Sequence, residues 1–161
     1  DIMPSLVGSE MCIRDRRGLA LVISRAQTNG LTAVYASLLL QHLLREYETL
    51  GEFRCHLCHV ISPKDPAEIT AMTVDAIEEI TNLEQNLTLA SLAKAETALM
   101  TAEVFTDLDA EQREWAQEFT HPILEDLAPR EAFYSVERLP KREQMLITGQ
   151  AQVVLGFNMA T

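Results

Sequence analysis

Apolar and polar positions recur with two different periods along this chain, and the changes of period divide it into elements. Residues 18 to 24, "GLALVIS", are a short apolar run behind a glycine and ahead of polar residues, the pattern of a buried strand. Thr28, Asn29 and Gly30 supply turn chemistry and a helix cap. From Leu31 the apolar positions fall three and four apart. Val34, Leu38, Leu39, Leu43 and Leu44 share one stripe, and a helix is predicted to run to the Leu50-Gly51 pair, where glycine favours a C-terminal cap. "EFRCHLCHVIS" then alternates, with Phe53, Cys55 and Leu57 on one side against Arg54, His56 and Cys58 on the other, so a second strand is predicted. Strand, helix and strand make a βαβ-like start, parallel and right-handed if the strands share one sheet.

Asp65-Pro66-Ala67-Glu68 combines a capping residue, proline at the first helical position and an acidic third position, so a helix is predicted to begin there. It presents Ile69, Met72, Ala76, Ile80, Leu83 and Leu87 at helical spacing. After a break near Asn82 to Asn86 the same pattern continues through Leu92, Ala95, Leu99 and Met100 to Val104. A further helix is predicted from Asp109 through Trp115 and Phe119, ended or kinked by Pro122. "QMLITG" and "AQVVLGF" are β-compatible runs that meet at Gly149-Gln150, and the expectation is a hairpin or a pair of adjacent strands. The predicted class is a helix-rich α/β fold with a βαβ-like start, a long helical middle and a C-terminal β hairpin or strand pair, forming an incomplete domain.

Charge sharpens that division. The chain carries a net charge of -11 over 161 residues. Residues 65 to 127 hold 15 acidic side chains against 2 basic ones, while the flanking segments 17 to 64 and 128 to 161 are close to neutral. The helical middle is therefore the acidic part. Such a balance opposes direct binding to nucleic-acid phosphates, which depends on Lys and Arg replacing counterions. No run approaches the ~20 apolar residues of a membrane helix, so no membrane role is expected. Three cysteines, two of them close together, do not make a secreted disulfide framework, and a reducing cytoplasmic location is the expectation.

Residues 1 to 16 stand apart. "SLVGSEMCIRDR" has neither helical nor strand period and lacks the apolar core of a signal peptide. Leu6 to Asp15 resembles, residue for residue, the translation of a transposase-type sequencing adapter. Residues 1 to 16, with Met11 and Cys12, are accordingly set aside as adapter-derived. Residues 17 to 161 are read as a single α/β domain or the C-terminal fragment of a larger protein. Catalytic motifs upstream of Arg17 would then be missing from view, so their absence does not decide whether the protein is an enzyme.

Cys55, Cys58 and His59 satisfy C-x-x-C-H, the spacing that attaches c-type haem through two thioethers with the histidine on iron. A strand is the wrong support for it, because attachment requires both sulfurs and the imidazole on one side. Zinc would need Cys55 and Cys58 to recruit distant groups such as His42 and His121, for no second pair has ligand spacing. The expectation is a plain strand, with Cys55 and Leu57 facing the core as small hydrophobes, and no metal or cofactor. "SRAQTNGL" contains one glycine and no G-K-[ST], so it is a capped turn and not a phosphate loop. Asn86-Leu87-Thr88 fits a glycosylation sequon but is read as a helix cap. Asp75, Glu78, Glu79 and Glu84 are read as a solvated helix face, and Trp115 with Phe119 as a core stripe.

"RLPKREQMLITGQAQVVLGF" resembles the end of RecA-like DNA-translocase and conjugation ATPases, where a turn after Leu-Pro leads through an edge strand into a final strand. "GLALVIS" and "SPKDPAEI" fall in the matching order, whereas Arg142 stands where that family has glycine and the acidic middle is longer. The resemblance implies a nucleotide-driven motor with its Walker motifs upstream, and no catalytic position carries over. The residues themselves favour a non-catalytic interaction or assembly domain, whose partner is a protein with a basic surface or a second copy of the chain.

Overall fold

The computed structural model describes residues 3–7, 10–14, 19–23, 30–45, 53–59, 79 and 82–159. Three strands, β1 (Met3–Val7), β2 (Glu10–Arg14) and β3 (Leu19–Ile23), form an antiparallel sheet in the order β1-β2-β3. Val7 lies opposite Glu10, and Cys12 opposite Leu21. Residues 3 to 7 and 10 to 14, without a period in the sequence, are thus paired strands, since main-chain pairing does not itself require alternation of side chains.

Helix α1 (Gly30–Arg45) follows, and then β4 (His56–Leu57). The expected βαβ start is corrected here: β3 pairs with β2, whereas β4 belongs to a second, four-stranded sheet. The parallel pair lies one element later. β4 runs beside β5 (Ala98–Thr101), with His56 opposite Leu99 and Leu57 opposite Met100, and α2 (Leu83–Leu92) lies between them in the chain. β5 was expected to continue a helix. Its Ala98, Leu99 and Met100 are fully buried, and a short run apolar on both sides is what a central strand covered on both faces requires.

The helix expected from Asp109 to Phe119 is also corrected. After α3 (Ala102–Thr106), a single turn α4 (Ala110–Arg113) is held by a capping box between Asp109 and Gln112, and the chain then extends as β6 (Ala116–Phe119). Pro122 begins a helix, α5 (Pro122–Leu127), with the His121 ring accepting from the Ile123 N–H. β7 (Phe133–Val136) completes the sheet in the order β4-β5-β7-β6, antiparallel to both neighbours.

The C-terminal strand pair is absent: residues Lys141–Met159 form the long helix α6. Gly149 inside it disfavours a helix by about 1 kcal/mol. Burial at helical spacing outweighs that, since Ile147 and Ala151 are buried four residues apart while their outward neighbours are exposed. The strands implied by the resemblance to RecA-like ATPases are therefore helical here.

The sheet is covered on both faces. On one, Val34 of α1 and Ile147 of α6 pack with Met100, Val104, Leu108, Val136 and Leu139. On the other, Leu89 of α2 and Leu124 of α5 pack with Leu99 and Phe133. Three layers result, helix, sheet and helix, although the sheet is mixed. Residues 65 to 78 of the helix expected to begin at Asp65 lie outside the described residues, while its Leu83 and Leu87 fall in α2; residues 46 to 51 of the first predicted helix also lie outside them.

The buried stripe of α1 is not its most apolar one. Gly30, Val34, Ser37 and Gln41 are buried, while Leu38 and Leu39 are only partly so. The polar members are satisfied: Ser37 donates to the Val34 carbonyl at 2.8 Å, and Gln41 donates to the Thr97 carbonyl at 2.8 Å and accepts from the Glu96 N–H at 2.9 Å. Gln41 thereby fastens the turn before β5, where Glu96 sits at φ 63°.

Gly30 lies tightly against the end of α3 and the residues that follow it. A Cβ there would lie 3.1 Å from the Asp107 Cβ and 3.2 Å from the Val104 carbonyl. Neither neighbour is the end of a flexible chain. Gly30→Ala is expected to lower stability by about 1–2 kcal/mol through overpacking, against the helix propensity it gains. Thermal unfolding checks this, and a raised Tm would show that α3 yields.

Candidate functional site

The Cys55–His59 segment occupies the outer edge of the four-stranded sheet and divides between its two faces. Cys55 lies beside Ser37 of α1, and Leu57 packs into the cluster containing Val34. His56 turns to the opposite face, its ring 5.9 Å from that of Phe133, and Cys58 lies beside Asn86 of α2. Arg54 closes the preceding turn by donating to the Ala93 carbonyl at 2.7 Å and the Ser91 carbonyl at 3.3 Å, a favourable cation at the C-terminal end of α2.

Burial sets the chemistry of these groups. It pushes the Cys55 thiol up to about 11 against the pull of the Ser37 hydroxyl. It pushes the Cys58 thiol to about 11 as well, and the charges of Glu103 and Glu131 add to the shift. Both thiols are protonated at neutral pH, and a protonated thiol is not a strong nucleophile. Burial lowers His56 to about 4, opposed by the Asn86 amide. Neither of its buried ring nitrogens has a partner in hydrogen-bonding geometry. Its imidazole is neutral at pH 7.

His59 is held differently. Its Nε2 lies 2.6 Å from Asp107 Oδ2 and its Nδ1 3.4 Å from Glu103 Oε2. The His59 side chain retains only 15% exposure. One imidazole is thus bracketed by two carboxylates of α3 and the residue after it, and this bracket anchors the end of β4 beside the N-terminus of α1. A histidine–carboxylate pair can orient a proton acceptor, but the thiol next to it, Cys58, belongs to the other face and is protonated.

The C-x-x-C-H pattern is therefore spatially divided. Cys55 and Cys58 lie against helices on opposite sides of the sheet, and His59 is committed to carboxylates. Among the described residues, no three His, Cys, Asp or Glu side chains gather where a metal ion could be held. His42 lies instead 3.4 Å from Arg45, and His121 caps α5, so neither joins the cysteines. Asn86 lies within α2 and donates to the Asn82 carbonyl at 3.2 Å. Glu79 and Glu84 are exposed, while Asp75 and Glu78 lie outside the described residues. Trp115 packs against the α1 side and Phe119 against the α2 side, so they do not form one stripe.

Glu103, Asp107 and Gln41 were not singled out in the sequence. Asp107 is 48 residues from His59, and no local spacing links them. Gln41 carried one signal: an amide amid leucines on a helix invites the question of what it bonds.

A second surface is distinguished by what it leaves uncovered. Met145, Leu146, Val153 and Val154 of α6 are 65%, 51%, 60% and 41% exposed. With Leu39 of α1, Gly149 and Gln150 they line an open apolar groove of about 550 Å³. No helix of the described residues is long and apolar enough to cross a membrane. No protein-family profile, curated protein or solved structure matches the chain.

Proposed function

We propose that this chain is a non-catalytic interaction or assembly domain that works through the outer face of α6. The observation that carries the reading is that α6 keeps four large apolar side chains exposed on the side the domain leaves uncovered. Ile147 and Ala151 are buried in the domain, while Met145, Leu146, Val153 and Val154 face outward. Exposed apolar side chains gathered on one helix, among the polar Gln144, Thr148, Gln150 and Gln152, mark a contact surface. The Cys55–His59 segment supports the same reading from the other side, because its thiols are protonated and its histidines are neutral or engaged.

An apolar fluorescent dye at submicromolar protein concentration tests it. Dye binding is expected, and Leu146→Glu with Val153→Glu is expected to abolish it without changing the far-ultraviolet circular dichroism. The reading fails if a monomeric chain binds no dye, or binds it equally after both substitutions.

A second reading has its own observation. Asp109, Glu111, Glu114, Glu118, Glu125 and Asp126 are all exposed in and around α4, β6 and α5, carboxylates that a basic partner could engage. Such an interaction would weaken as salt is added, whereas an apolar contact at α6 would not.

A further inference from the structure

We infer that the occupant of the α6 face is the α6 of a second copy of this chain, laid antiparallel across a two-fold axis near Gly149 and Gln150. The inference rests on the reading of α6 as an interaction face and names its partner. Three observations converge on it.

The outward pattern is its own complement. Met145 and Leu146 precede the Gly149-Gln150 pair by the same number of residues as Val154 and Val153 follow it. In an antiparallel pair centred there, Leu146 of one copy meets Val153 of the other, since seven residues bring the two within about 20° of one face, while Met145 and Val154, half a turn apart, flank the contact on its two edges. A two-fold interface requires this, because the same patch must fit itself. The stripe spans about 14 Å at 1.5 Å per residue, within a helix long enough to carry it.

The centre is open. A Cβ added at Gly149 would meet nothing within 4 Å, so the helix presents bare backbone at the crossing point. Two such surfaces can approach closely there, and the four larger side chains fill the space on either side.

The ends are complementary in charge. Lys141 and Arg142 are exposed in the first turn of α6 and outnumber its one acidic residue, Glu143, so that a net positive charge sits at the positive end of the helix dipole. From Gln144 to Thr161 the chain carries no charged side chain. Antiparallel pairing brings Lys141 and Arg142 of each copy to the last turn of the other's α6, its negative end. Parallel pairing would stack the cations on one another, so charge selects the antiparallel arrangement.

Sedimentation of the full chain between 1 and 100 µM tests the pairing. The expected result is a species of twice the 18.0 kDa chain mass, lost entirely in the Leu146→Glu, Val153→Glu variant, whose folding is checked by circular dichroism. Gly149→Cys should in addition yield a disulfide-linked dimer on mild oxidation that the parent chain does not give under the same conditions, since the two positions face each other across the axis. A monomer at every concentration overturns the pairing, as does a dimer that survives both glutamates. If that monomer still binds the apolar dye through α6, self-pairing has failed while the interaction reading stands.

Discussion

Acidification from pH 6.5 to 4 is expected to remove about 3 kcal/mol of stability through one imidazole, that of His56. Its value in the fold is about 4, lowered from 6.5 by burial. The interval between those values, at 1.36 kcal/mol per pH unit, gives that magnitude. The direction follows from where the proton binds. Above pH 6.5 His56 is neutral whether the chain is folded or not, and the full stability is present. Below it the unfolded chain takes up a proton that the folded chain refuses, so stability falls until the folded form also titrates near 4. Urea unfolding at intervals of pH across this range, for the parent and for His56→Leu, isolates the contribution. Carboxylates and the other histidines act equally on both proteins. The difference between the two curves should therefore widen by about 3 kcal/mol toward low pH, and parallel curves would show that His56 is hydrated. At pH 7 the leucine variant should be no less stable, because it removes two buried ring nitrogens without hydrogen-bond partners.

The second large effect lies in β5. Leu99 and Met100 are both fully buried, one in each of the two core clusters. Leu99→Ala is expected to lower the unfolding free energy by about 3–4 kcal/mol, the sum of lost transfer energy and a residual cavity. The flanks of that cavity are Leu89, Leu124 and Phe133, side chains from two helices and the neighbouring strand that have little freedom to collapse inward. Met100→Ala should lie lower in the same range, since the partly buried Leu57 and Tyr134 packed around its cluster have more room to adjust. Chemical denaturation of each single variant measures this. A loss below 1 kcal/mol for Leu99→Ala would mean that the α2 and α5 layer does not pack against the sheet.

These two positions also show what could be read in the sequence. His56 and Leu57 were legible as a strand because alternation survives in a short edge segment, and the assignment of Cys55 and Leu57 to one face is what the structure displays. Leu99 and Met100 were misread, since a central strand covered on both faces shows no alternation, and three consecutive apolar residues beside a helix fit a helical stripe equally well. The opposite error occurred at Met145 to Phe157. Valine, isoleucine and glycine there favoured a strand locally, but Ile147 and Ala151 needed a helix to reach α1 together. Trp115 and Phe119 were four apart and read as one face, although the capping box at Asp109 and Gln112 holds only a single turn before the chain extends. Of the site, the local part was visible and the His59, Asp107 and Glu103 bracket was not, because tertiary contacts between distant residues leave no periodic trace.

The division of Cys55 and Cys58 between two faces of β4 has a redox meaning. A disulfide needs its two Cβ atoms about 4 Å apart and turned toward one another, which neighbouring faces of one strand do not allow. Both thiols are free in the fold. A bond between Cys55 and Cys58, which flank β4, would require the segment to turn its two ends toward one another, so it works against the pairing of His56 and Leu57 with β5. The pairing of this short edge segment thus disfavours the oxidised form of the thiol pair.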